Sequence, residues 1–264
     1  MSFPNFTGKH AHDAFFTPQE FVAYLRREGR LPDDLVLPAG IILSYHPRML
    51  LSALAEQEVE EIPIAGYRLT LLGADRAVGL CTGFGIGAPA VVGVVELLIA
   101  LGARAFVSIG TAGALAPAVR IGDLVVCDRA IRDEGVSHHY LASEKYAYPA
   151  ATLTERLADS LRARGLSPHL GASWTIDAPY RETVEEARQY QQEGALTVEM
   201  EASALFAVAQ LRGAEMAAGF VISDSLADLV WNPQFNAEAT AAGFVQLFHA
   251  AREALTPEAS QTPS

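Results

Sequence analysis

Two carboxylates, Glu199 and Glu201, stand two residues apart in the run Leu196-Thr197-Val198-Glu199-Met200-Glu201-Ala202-Ser203-Ala204. Ala204, Leu205, Val208 and Leu211 recur at helical spacing, which predicts a helix from Ala202 with both acids just before or within its first turn. Acids beside so much apolar surface need partners, because an unpaired buried carboxylate is expensive. They can cap the helix and favour its positive end. Alternatively, a carboxylate there can accept hydrogen bonds from vicinal hydroxyls, as on a ribose. A third acid, Asp224, closes the run Val221-Ile222-Ser223-Asp224. It suits either a turn after a strand or proton donation to a leaving group.

Glycine supplies the second kind of signal. Gly83-Phe84-Gly85-Ile86-Gly87 lies between a strand-like and a helix-like run. Such a loop lets backbone approach a ligand at positive φ, and the following helix end presents free N–H groups. It is not a dinucleotide fingerprint: the final glycine comes one residue early, and the next strand, Ala105 to Ile109, ends without the ribose-binding acid. A tight turn without a ligand is the plain alternative. Gly110-Thr111-Ala112-Gly113 repeats the pattern and adds a hydroxyl. Two such loops after adjacent strands would converge at one end of a sheet, where α/β ligands bind.

Taken together and in order, these segments resemble the nucleoside phosphorylase superfamily, which contains uridine phosphorylase, hexameric purine nucleoside phosphorylase and the methylthioadenosine nucleosidases. The resemblance is carried by Thr82 to Pro89, Ser108 to Leu115, Ile121 to Val126, Val198 to Ala202 and Val221 to Asp224, and covers about residues 35 to 255. It implies that Glu199, Met200 and Glu201 bind ribose, and that Asp224 is the catalytic acid at N7 of a purine. Ser223 would be beside the base. Tyr180 and Arg181, in Trp174 to Thr183, would occupy the base-binding region, with Tyr180 offering a ring face; loop packing is the alternative for Tyr180. Gly85, Arg48, Ser108 and Thr111 would bind phosphate.

This chain departs from the family at the phosphate. An arginine that phosphorylases place in the second glycine loop is Ser108 here, and the upstream Pro-Gly-Asp-Pro motif is Ser44-Tyr45-His46-Pro47, with Arg48 displaced. Charge-assisted arginine bonds are the strong anion contacts. Losing two would weaken phosphate binding by about 2–4 kcal/mol. The resemblance still implies phosphorolysis of a purine nucleoside to base and ribose 1-phosphate, with hydrolysis by water, motivated by Ser108, or nucleoside binding without turnover as alternatives. No cofactor is expected beyond inorganic phosphate as co-substrate, and no metal. The family also implies a homo-oligomer, dimer or hexamer, in which His10 or His12 could be lent to a neighbouring subunit.

The elements that must position these residues read as alternating strands and helices. Strands are expected at residues 41–43, 68–72, 77–81, 105–109, 123–126 and 217–222, and helices at 89–101, 153–164, 182–192, 202–211 and 237–255. Alternation predicts an α/β fold: a single three-layer domain with a mixed central β-sheet flanked by helices, phosphorylase/hydrolase-like. An N-terminal arm and helix (1–34), the main domain (35–255) and a polar, flexible tail (256–264) complete the chain. With 264 residues, half of them hydrophobic, a sizeable core is available. A net charge of −12 argues against nucleic acid. No apolar run approaches the roughly 18 residues of a membrane helix. With no visible signal peptide, a cytoplasmic protein is expected. Cys81 and Cys127 read as buried, reduced thiols. His138-His139 reads as part of a loop near the pocket, without metal-ligand spacing.

Overall fold

The computed structural model describes residues 4–55 and 57–256; the tail expected beyond Thr256 lies outside them. Eleven strands form one sheet among the described residues. They are β1 (Gly40–Ser44), β2 (Val59–Ile64), β3 (Tyr67–Leu72), β4 (Val78–Thr82), β5 (Ala105–Ala114), β6 (Leu124–Asp133), β7 (Tyr146–Ala147), β8 (His169–Ile176), β9 (Ala195–Glu199), β10 (Glu215–Ser225) and β11 (Asn232–Pro233). The helices are α1 (Pro18–Arg27), α2 (Leu51–Ala55), α3 (Ala88–Ala100), α4 (Ser137–Tyr140), α5 (Ala151–Ala163), α6 (Val184–Gln192), α7 (Ala202–Arg212) and α8 (Glu238–Leu255).

Local chemistry sets several boundaries. Thr17 with Glu20 and Thr183 with Glu186 form reciprocal capping boxes that start α1 and α6. Pro89 sits in the first turn of α3, and Gly213, left-handed at φ 66°, ends α7.

The layers follow the expected plan. On one face of the sheet α1, α3 and α7 bury Leu25, Val91, Val95, Leu205 and Phe206; on the other α5 and α8 bury Leu157, Leu161, Phe244, Leu247 and Phe248. Strand order is β11-β10-β6-β8-β9-β5-β1-β4-β3-β2, and β10 also pairs with β5. Hence β5, β10, β6, β8 and β9 close into a ring, from which β1, β4, β3 and β2 extend as an open wing.

Two motifs that look like loops are strand. β5 continues through Gly110 to Ala114, and β10 continues through Ser223 and Asp224 to Ser225. The reason is tertiary: β5 pairs with β10 over its whole length and with β9 at Gly113 and Ala114. Ladder bonds on both sides outweigh glycine's local preference for turns. β6 likewise continues past Cys127 to Asp133, and the His138-His139 pair lies in the short helix α4. Cys81 and Cys127 are buried and unlinked, and burial pushes the Cys81 thiol up to about 12.

Candidate active site

The Gly83-Phe84-Gly85-Ile86-Gly87 segment does form a turn. Its three glycines have φ of 83°, 88° and 98°, a region L side chains rarely adopt. The turn delivers the Gly87 N–H to Glu201, whose Oε1 accepts at 2.6 Å. The Met200 backbone also hydrogen-bonds this carboxylate, and the group is 8% exposed. Burial, and then the charge of Glu199, pushes its pKa from 4.5 up to about 8.

Glu199 has a different place. The sequence reading sets it with Glu201 at the ribose; in the fold its carboxylate turns inward. Oε1 accepts from Ser173 Oγ (3.2 Å) and Thr175 Oγ1 (2.5 Å), and Oε2 from the N–H groups of Glu201 (2.8 Å) and Ala202 (2.7 Å). A carboxylate with four donors has its acceptor positions filled. Glu199 therefore caps α7 and ties β8 to β9. Met200 is half-buried between the two acids.

Asp224 stands on the other side of β5. Val198 and Asp224 both register with Gly113. Two inter-strand spacings separate them, about 10 Å. A Cβ at Gly113 would lie 3.1 Å from Val198 Cγ1, 3.2 Å from Asp224 Oδ2 and 2.8 Å from Leu226 Cδ1, so only glycine leaves room there. Asp224 Oδ1 accepts from Ser223 Oγ (2.8 Å) and Oδ2 from Trp231 Nε1 (3.1 Å). Ser223, expected against the base, is thus turned onto Asp224 and 1% exposed. Glu182, absent from the sequence reading, lies close enough to feel Asp224: burial, then the charges of Asp224 and Glu186, lifts it to about 7.

The anion corner differs most from expectation. Tyr45 packs on Gly110, its ring carbons 3.4 and 3.6 Å from where a Cβ would sit. Its hydroxyl lies 3.2 Å from Ser108 Oγ, and its ring meets Phe84 edge-on at 5.2 Å. Burial, reinforced by the charge of Glu201, raises the phenol well above 10. Ser108, 2% exposed, is thus engaged by Tyr45. Thr111 Oγ1 lies 3.1 Å from His46 Nε2, while Arg48, on the same turn (Pro47–Leu50), is exposed. The fold thus brings His46, not Arg48, to Thr111, and burial lowers the imidazole pKa.

Tyr180 is 99% exposed and Arg181 is exposed, so within one chain neither is packed into the fold. Their segment, Pro179–Arg181, leaves β8 as a short turn with no buried residue, so no apolar contact draws the ring inward. In the arm, His10 Nε2 lies 3.0 Å from the backbone oxygen of His138, and Lys9 Nζ 2.6 Å from His139 Nδ1, so the arm rests on α4 of its own chain. Among the described residues no group of three or more His, Cys, Asp or Glu side chains could hold a metal, and no helix is long and apolar enough to cross a membrane. Tyr45 and His46 were visible in the sequence as departures from a motif; Glu182 could have been noticed beside Arg181. Trp231 carries no local signal.

Among known proteins, several nucleoside phosphorylases are similar to this chain. The uridine phosphorylase of Haemophilus influenzae is 32% identical over 155 residues, covering 53% of this chain and 62% of that protein. The guanosine phosphorylase of Halorubrum lacusprofundi is 33% identical over 129 residues, covering 49% and 54% respectively. The chain thus spans between about half and two thirds of the length of these curated relatives. The crystal structure of uridine phosphorylase from Vibrio fischeri ES114 superposes with a TM-score of 0.70 at 27% identity, over 86% of this chain and 93% of that one. The model of the phosphorylase superfamily matches residues 39–255, and the chain belongs to that superfamily.

Proposed function

We propose that this protein cleaves the N-glycosidic bond of a purine nucleoside with orthophosphate, giving free base and ribose 1-phosphate. The observation that carries the reading is the placement of Glu201 and Asp224 on opposite sides of β5, anchored to Gly87 and Gly113. That span suits a nucleoside lying across the strand. Glu201 would accept from the ribose hydroxyls, with Met200 against the sugar. As the bond to C1′ breaks, its electron pair leaves with the base, and Asp224 supplies a proton or hydrogen bond at N7. The sugar becomes oxocarbenium-like, and a phosphate oxygen attacks C1′ from the side of the glycine turn, Thr111 and His46. Relatives named for uridine and for guanosine both occur; Asp224 favours the purine, because uracil presents no basic nitrogen at that place and a carboxylate repels its carbonyls.

Hydrolysis is the second reading, favoured by Tyr45 over Gly110 and by its contact with Ser108, which take space and a hydroxyl from an anion. A homo-oligomer is part of the proposal, supported by Phe15 and Phe16 of the arm, 105% and 66% exposed; a monomer by light scattering would remove it.

One experiment separates the chemistry. Inosine, adenosine and uridine are incubated with and without phosphate, and the sugar product is identified. Ribose 1-phosphate supports the proposal, free ribose the hydrolytic reading, and no product a binding protein. Asp224→Asn should lose purine turnover by about 10²–10⁴-fold, the usual worth of a general acid; full turnover, or uridine as best substrate, would make Asp224 a structural residue.

A further inference from the structure

With Tyr180 out in solvent, the proposed base position has no aromatic neighbour from that segment. An unassigned ring lies beside Asp224 instead. After Ser225 the chain turns back through Leu226 to Val230, and β11 pairs antiparallel with the end of β10, setting Pro233 opposite Asp224 and Asn232 opposite Ser225. Gln234 N–H donates to the Ser223 carbonyl at 3.0 Å. The turn is braced from α6, where Gln191 Nε2 donates to Ala227 O (2.9 Å) and Leu115 O (2.8 Å). Leu229 takes the left-handed conformation, φ 58°, to complete it. This hairpin delivers the Trp231 indole N–H to Asp224 Oδ2 at 3.1 Å.

We propose that Trp231 builds the base subsite: its indole N–H aims the Asp224 carboxylate, and its ring face receives a planar purine. The proposal rests on the reading of Asp224 as the acid at the base. Three observations support it. Both Asp224 oxygens are held, by Ser223 and by Trp231, so the plane of the carboxylate is set before a ligand arrives. Trp231 is 61% exposed despite being tethered, and touches Phe235 only obliquely, with ring centroids 6.2 Å apart. A large apolar face held in water beside a substrate acid is what a flat heterocycle can cover. Finally, an indole donates and does not titrate, so it orients the acid at every working pH.

The chain has two tryptophans, and Trp174 is fully buried. Emission changes on adding hypoxanthine therefore report Trp231. We expect saturable quenching by hypoxanthine in wild type, absent in Trp231→Phe. Loss of a hydrogen bond to a charged group should lower purine kcat/KM by about 10- to 100-fold in that variant. Trp231→His, which keeps a ring and an N–H, should recover part of kcat, and would serve if the Phe variant failed to fold. Wild-type kinetics in Trp231→Phe, or unchanged emission while calorimetry shows hypoxanthine bound, would overturn the proposal. Asp224→Asn separates this failure from the broader one. If it retains purine turnover, the acid assignment falls; if it is impaired while Trp231→Phe is not, only the role of Trp231 falls.

Discussion

The two sides of β5 hold their carboxylates in opposite ways. On the β9 side, Glu199 and Glu201 are 6% and 8% exposed and tied to backbone, Ser173, Thr175 and the glycine turn. On the β10 side, Asp224 is half-buried and held partly by an exposed indole on a returning hairpin. The first arrangement is set by the closed ring of strands and can change little without unfolding. The second is aimed partly from a short surface segment, so its placement depends on the hairpin as well as on the sheet. Within the buried side, two residues of separation divide a carboxylate filled by four donors, Glu199, from one held by the glycine turn, Glu201, to which the proposed ribose contact falls.

Glu199→Ala should break this contrast most severely. It strands two hydroxyls and two N–H groups in the core, and removing one partner of a buried charged network costs about 3–5 kcal/mol. Urea unfolding would measure it; a loss below about 1 kcal/mol would mean that water replaces the carboxylate and that Glu199 is not structural.

Glu201→Gln should leave the fold intact but raise KM for ribonucleosides by about 10- to 100-fold, the worth of a charge-assisted bond. A pH series sharpens the point. Glu201 in the folded chain holds its proton up to about 8, against 4.5 ordinarily. Nucleoside hydroxyls donate best to the ionised form, so wild-type KM should fall as pH rises from 6 to 9. Fold stability should move the other way. The unfolded chain releases this proton near 4.5 and the folded chain near 8, so the contribution is complete below 4.5 and lost as pH rises through 8. In Glu201→Gln both dependences should flatten; parallel slopes in variant and wild type would assign them to another group.

The smallest effect is expected from Tyr180→Ala. With the ring 99% exposed, KM and kcat should change by less than about twofold, the size of a surface substitution. A large loss would show that the ring is covered in the working assembly, and the open character of the β10 side would have to be revised.

What could be read from residues alone divides along the same line. The first glycine turn was legible because positive φ is a local demand that Gly83, Gly85 and Gly87 each meet. The place of Glu201 at the start of α7 was legible because the acid-Met-acid run and the apolar helix that follows are contiguous. The inward turn of Glu199 was not, since its partners Ser173 and Thr175 come from β8, more than twenty residues earlier. Nor was the continuation of β5 through Gly110 and Gly113, which its ladder partners impose. Tyr180 offers a ring in the expected segment, but exposure depends on what packs around a turn. Trp231 sits seven residues beyond Asp224, and only a hairpin returns it.

Ring closure also governs how copies of this chain can meet. Its five strands satisfy one another's backbone groups, leaving β2 as the one long strand, among those described, with a single partner. An unpaired strand edge invites aggregation by adding further chains to the sheet. β2 discourages this: it carries Pro63, which cannot donate, and Glu60 and Glu61, paired with Arg76 and Arg68 across 2.7 and 3.5 Å. In the proposed homo-oligomer, contact through a shared sheet is thereby disfavoured, which leaves side-chain surfaces such as the aromatic arm.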